Sequence, residues 1–322
     1  MSELEVIKVS DLDEEKKDPD WLIEGLWLDG GVGIIGGEPK SYKTFAALSL
    51  AVATASGRSC FGRYDVKRQG PVLVYAAEDS LAMVADRIIG LAHGMNASFK
   101  ELDIHLIAEA RLRIDTEVDR QRLEETISNL RPVLLILDPF VRLHGIDENS
   151  SGEVAKLLSW LRHLQRHYSI NVAMVHHARK RAGKERPGQS LRGSSELHAW
   201  GDSNIYLRRG ADDEPYVEMT IEHRAAPSEG NLRLQFIDSE RGPYLAYDGG
   251  GCPMKEKLSS ADRILEALGK QKASGDALRK ESGMKAATFW SELRGLLETG
   301  QIVKGADSRY HLPENTHSTV QP

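Results

Sequence analysis

The chain has 322 residues, 40% of them hydrophobic and 28% charged, with a formal net charge of −6. That balance supplies a folded core and excludes a strongly basic nucleic-acid binder, so any such contact has to come from a local patch. No apolar run approaches the ~18 residues a bilayer span requires, and the acidic lead-in "MSELEVIKVSDLDEEKKDPD" has no signal-peptide core, so no membrane association and a cytoplasmic location are expected. Cys60 and Cys252 stand alone without metal-ligand spacing and are expected to be inert packing residues.

In chain order, residues 1–20 read as a polar lead-in, followed by the amphipathic "WLIEGLWLDGG" at 21–31. "VGIIGGE" is a short strand running into a loop, and "KTFAALSLAVATASG" is a helix with Gly57 as its stop. "PVLVYAAE" (71–78) is a second strand, with Asp79 or Ser80 capping the helix after it. "DIHLIAEA" (103–110) is a third strand, and "VDRQRLEETISNLRP" an exposed helix. "VLLILDPF" is apolar up to Asp138, "GEVAKLLSWLRHLQRHY" is amphipathic at helical spacing, and "INVAMVHH" is another buried strand.

Strands apolar at every position, alternating with helices, predict an α/β fold with a largely parallel sheet covered on both faces. After residue 200, "SNIYLRR", "YVEMTIEHR", "LRLQFID" and "YLAYD" follow one another with turn-like breaks and no helix, which predicts an antiparallel extension of that sheet. The glycine run "DGGGCP" marks a boundary, so a large first unit is expected over 21–248 and a linker over 249–257. Three short helices and a small hairpin over 258–312 match a winged-helix pattern, with a loose tail over 313–322.

The chemistry concentrates in "GGEPKSYKTF", residues 36–45, which is one residue away from the phosphate-binding pattern G-x-x-x-x-G-K-[ST]. Gly37 is its first glycine, Glu38, Pro39, Lys40 and Ser41 form the loop, and Lys43 and Thr44 close it. Tyr42 occupies the second glycine position. A strand, a loop and a helix N-terminus in this order bring backbone N–H groups and a helix dipole onto an anion. Lys43 is placed to reach the β- and γ-phosphates of ATP and Thr44 to ligate Mg²⁺, with Asp138 holding the ion through its water shell. Glu78, at the tip of the next strand, is placed to orient the attacking water. A right-handed backbone at Tyr42, entering the helix with its side chain turned away from the phosphates, is the expectation that keeps the loop functional.

The strings "WLIEGLWLDGGVGIIGGEPKSYKTFAALSLA", "PVLVYAAEDS", "LLILDPFVRLHGIDENSSGEVAKLLSWLRHL", "NVAMVHHARK" and "LRGSSELHAWGDSNIYL" together resemble the RepA-like, AAA_25-type ATPases, relatives of RecA and of DnaB-class hexameric replicative helicases. The resemblance covers about 21–248. It implies a RecA-like P-loop core assembled as a homohexameric ring with ATP between subunits. In it, Lys43 and Thr44 match the Walker A lysine and hydroxyl, Glu78 the catalytic glutamate and Asp138 the Walker B aspartate. His177 matches the polar sensor, and strand alternation leaves His176 as a packing histidine. Arg224 in "IEHRAAP" matches the trans arginine finger, although Glu222 stands where relatives have a lysine, and Arg208 and Arg209 are rivals.

The segment "ARKRAGKERPGQSLR" carries Arg179, Lys180, Arg181, Lys184, Arg186 and Arg192 against Glu185 alone. The resemblance places this loop on a central channel, with Arg179, Lys180, Arg181, Lys184 and Arg186 holding single-stranded DNA and Arg192 tying the loop back to the core. The C-terminal unit offers Lys285, Arg294, Lys304 and Arg309 to duplex DNA or to a protein, with Phe289 and Trp290 expected in its core. The leading expectation is an ATP- and Mg²⁺-dependent ring motor on single-stranded DNA, serving replication of a plasmid, phage or other mobile element. The alternatives are an ATP-controlled DNA-binding regulator or loader, and a RecA- or RadA-like recombination mediator.

Overall fold

Side-chain alternation decides how this chain folds. In "LLILD", Leu134 and Ile136 point into one core and Leu135 and Leu137 into another, because successive residues of a strand face opposite sides. Such a strand is stable only between two layers. The computed structural model shows this arrangement, and it describes residues 6–11, 18–178, 196–210, 216–251, 260–268, 273–282, 284, 286–305 and 307–312.

The chain divides into two compact units, Met1–Cys252 and Pro253–Pro322. The first opens with a small antiparallel pair, β1 (Trp21–Ile23) and β2 (Trp27–Leu28). Then come β3 (Val32–Gly37), α1 (Lys43–Ser56), β4 (Val72–Ala76), α2 (Leu81–Gly94), β5 (Ile104–Leu106), α3 (Glu117–Leu130) and β6 (Leu134–Asp138). They are followed by α4 (Ser151–Tyr168), β7 (Asn171–His177), α5 (Glu196–Trp200), β8 (Ser203–Arg209), β9 (Tyr216–His223), β10 (Glu229–Ile237) and β11 (Tyr244–Gly251). Nine strands form one sheet in the order β11-β10-β9-β8-β3-β7-β6-β4-β5. The half from β8 to β5 is parallel throughout, and β8 to β11 pair antiparallel.

Local chemistry ends the elements where the sequence indicates. Gly57, at φ 69°, terminates α1 and donates its N–H to Ala53 O at 2.8 Å, a left-handed position that glycine takes without steric cost. Ser80 rather than Asp79 caps α2, its hydroxyl accepting from Met83 N at 3.3 Å. Thr116 caps α3 by accepting from Asp119 N. The alanine-rich α1 buries Ala46, Ala47, Leu50, Ala51 and Ala53, packing its small side chains closely under the sheet. Each Leu, Ile or Val buried this way is worth ~1.5–3 kcal/mol. Cys60 is buried, and burial drives its thiol well above the usual range, as expected of an inert packing residue.

Three expectations are corrected. The third strand spans only Ile104–Leu106 rather than 103–110, since it is the sheet's edge and its last backbone bond to β4 is Ile107 N to Val74 O. The glycine run does not break the chain at 249: Leu232 pairs with Gly251, so β11 continues through Gly251 and the boundary falls after it. In the second unit, α6 (Ser260–Leu268), α7 (Gly275–Ser282), α8 (Ala286–Glu298) and a hairpin of β12 (Val303–Lys304) and β13 (Tyr310–His311) enclose a core containing Ile264, Leu278, Phe289, Leu293 and Ile302. Phe289 lies there as expected, but Trp290 is 41% exposed, because adjacent helical positions face different sides.

Candidate nucleotide site

The end of β3 and the start of α1 are joined by residues 38–42, at the carboxyl edge of the parallel strands, where open α/β sheets place their ligands. Two residues of this loop take left-handed backbone, Lys40 at φ 65° and Tyr42 at φ 64°, with Ser41 between them. Alternation of this kind is the backbone pattern of an anion-binding nest, although the Ser41 N–H here donates to Glu38 O at 3.3 Å. The right-handed expectation for Tyr42 is therefore corrected. The position needs the conformation glycine favours, and tyrosine adopts it. Tyr42 is also the N-cap of α1 and makes no side-chain cap bond, so the helix N-terminal donors are left to the loop's side. Gly37 is constrained differently: a Cβ there would lie 2.3 Å from Leu207 O and 2.6 Å from Ser41 Oγ.

Around this loop lies a cleft of about 360 Å³ lined by Lys43, Thr44, Glu78, Asp138 and His177 together with Lys40, Ser41 and Tyr42. Asp79, Arg87 and Arg209 line it as well. A larger cavity, about 590 Å³, runs along edge strand β5 and α3. Its cation Arg122 is already paired with Asp119 and Glu109, so size does not mark the chemistry.

Lys43 is almost wholly buried and donates to Glu38 O at 2.7 Å. Burial lowers its pKa to about 8, against the opposing pull of Asp138, Glu78 and Glu38. Asp138 ends β6, also buried, and burial raises its pKa to about 6 although Thr44 hydrogen-bonds to it and Lys43 is near. A buried cation and a buried carboxylate beside one hydroxyl form an arrangement that a bound anion with its counter-cation would complete. The Ser41 hydroxyl, 1% exposed, has no hydrogen-bond partner among the described residues. A polar atom buried this way at an anion nest fits a phosphate oxygen. The donor set thus fits ATP with Mg²⁺.

The remaining residues divide. Glu78 accepts from Arg142 Nε at 2.8 Å, which orients its carboxylate at the cleft mouth. His177 is half-buried at the end of β7 and lines the cleft, whereas its neighbour His176 is buried with its ring 5.9 Å from that of Phe140. The alternation expected of the His pair holds. Arg224 is not brought to this cleft. It follows β9 at the opposite edge of the sheet, donates to Ala199 O and Trp200 O, and lies 3.3 Å from Asp202 Oδ1. Arg209 does line the cleft, and Arg208 pairs with Glu218. Arg179, Lys180, Arg181, Lys184, Arg186 and Arg192 lie outside the described residues, as do Cys252 and Lys285.

Sequence reading missed Asp79, Arg87 and Arg142. The first two form an ion pair, and Arg87 lies over the Phe45 ring at 5.3 Å. Asp79 was legible only as a possible cap. Nothing in the string "VADRII" connects Arg87 to the loop, since that link exists only once α2 packs beside α1.

A glycine-initiated loop between a buried parallel strand and a helix, with Lys43, Thr44 and Asp138 converging on it, defines a P-loop NTPase. The AAA_25 family model, described as an AAA domain, matches residues 2–183, and the chain belongs to that family. A solved structure described as the RadB recombinase aligns at 17% identity with a TM-score of 0.47, over 67% of this chain and 90% of that one. No helix among the described residues is long and apolar enough to cross a membrane.

Proposed function

We propose that this protein hydrolyses ATP with Mg²⁺ and uses the turnover to move on single-stranded DNA as a ring-forming, helicase-like motor of the RepA-like kind. Its service would be the replication of a plasmid, phage or other mobile element. The observation that carries the reading is the convergence of Lys43, Thr44, Glu78, Asp138 and His177 on one cleft although they arise from four different stretches of chain.

In this reading the backbone N–H groups of 38–42 and the Lys43 ammonium hold the phosphates. Magnesium, when bound, neutralises charge developing on the transferred phosphoryl group. Thr44 and Asp138 are the residues that hold it. Glu78, steadied by Arg142, accepts the proton of the attacking water. His177 sits at the γ-phosphate end and leads directly into the basic segment. A change felt by His177 is thereby passed through the following residue to Arg179, Lys180, Arg181, Lys184 and Arg186, the proposed DNA contacts. Arg224 is the proposed trans finger in a hexameric ring. The second unit is proposed as a winged helix, its exposed Arg294, Lys304 and Arg309 offering a face to duplex DNA or to a protein.

The test is phosphate release by the intact protein with and without single-stranded DNA, beside Lys43→Ala, followed by strand displacement and light scattering with and without ATP. DNA-stimulated turnover abolished by Lys43→Ala, unwinding and an ATP-stabilised ring are expected. A monomer under all conditions would overturn the motor.

A further inference from the structure

Tyr42 holds a left-handed backbone, φ 64° and ψ 26°, at the place where the phosphate-binding pattern has glycine. A residue with a Cβ resists that conformation, and Tyr42 makes no cap bond of its own to hold it there. Something else has to fix it. Its ring stacks on Phe236 of β10, with centroids 4.5 Å apart and planes 28° from parallel. Phe45, in the first turn of α1, closes the group edge-on: 6.2 Å from Tyr42 and 5.3 Å from Phe236. Arg87 lies over the Phe45 ring at 5.3 Å and is paired to Asp79. Phe236 is itself set by the sheet, where it stands opposite Leu245 of β11.

From this geometry we infer that Phe236 is a positioning residue of the nucleotide site. By stacking on Tyr42 it holds the loop in its anion-binding form, as glycine holds it elsewhere by having no side chain. Strand β10, outside the parallel half of the sheet, thus decides whether the loop is preformed. The inference rests on the reading of 38–44 as a triphosphate site.

The test is titration of the full-length protein with a fluorescent magnesium–ATP analogue, with thermal melting run in parallel. Phe236→Leu, which keeps apolar volume and removes the ring, and Phe236→Ala should each weaken binding about tenfold, the scale of a lost aromatic stack. Tyr42→Gly makes the left-handed conformation free of steric cost, so Phe236→Ala added to Tyr42→Gly should bind as Tyr42→Gly alone does. A merely structural loss at Phe236 would not be rescued this way. Unchanged affinity in both Phe236 variants, or a double variant weaker than Tyr42→Gly by the same tenfold, overturns the inference while leaving the nucleotide reading intact. Wild-type protein that binds no analogue overturns both.

Discussion

Gly37 and His177 stand opposite each other on adjacent parallel strands, and the chain just past His177 is tied to the loop, Ala178 N donating to Gly37 O at 2.9 Å. The first glycine of the phosphate loop and the proposed sensor histidine are therefore one rigid unit. His176, one residue earlier, faces the opposite core. Substituting the two histidines should separate function from folding. His177→Ala should leave the melting temperature within ~2 °C and cut DNA-stimulated ATP turnover at least tenfold. His176→Ala should cost ~2 kcal/mol or more in a urea titration, the scale of a cavity beside Phe140. Equal effects of both substitutions on turnover and stability would remove the sensor assignment.

Glu78 and Asp138 are both carboxylates at strand tips, but the first is at the cleft mouth beside Arg142 and the second is buried beside Thr44. Glu78→Gln should lower turnover ~10²- to 10⁴-fold, the range for a lost general base, with nucleotide affinity held within about threefold. Asp138→Asn should instead raise the magnesium concentration needed for half-maximal binding. Steady-state phosphate release and calorimetry across a magnesium series distinguish them.

Asp115 accepts from Arg113 Nε at 2.8 Å and from Gly145 N at 2.9 Å, pinning the segment after β6. The Arg113 guanidinium, followed by the Gly145 N–H, holds its pKa at about 2, below the 3.8 of the free group. A depressed carboxylate stabilises the folded state above its unfolded pKa and loses that contribution as pH falls through the folded one. Asp115→Asn should thus cost roughly 1 kcal/mol at pH 7, water screening the pair, and the gap from wild type should close between about pH 4 and pH 2. Urea midpoints at pH 7, 4 and 3 measure it. A gap that stays constant over this range would mean the ion pair is not its source.

Arg224 and Arg209 are separable by where they sit. Arg209 lines the cleft of its own chain, so Arg209→Ala should weaken nucleotide binding by the chain that carries it. Arg224 is held by Asp202 across the sheet, and the trans reading predicts complementation. Arg224→Ala and Lys43→Ala proteins, each inactive alone, should regain part of the turnover when mixed. No recovery at any mixing ratio would point away from Arg224.

By itself the sequence determined the layered sheet and its antiparallel extension, and it marked Lys43, Thr44, Asp138 and Glu78 as candidates by their order at strand tips and helix start, with His177 added by the family resemblance. These depend on period-two burial and on strand-to-helix order, which are local and leave a written pattern. Tertiary structure alone decided which residues from distant elements meet: Phe236 under Tyr42, Arg142 beside Glu78, Arg87 over Phe45, and Asp202 holding Arg224 away from the cleft. It also reversed the expected backbone at Tyr42. The reason is that a left-handed tyrosine is unfavourable as a local choice, and the ring stack that compensates it forms only when a strand nearly 200 residues away packs against the loop.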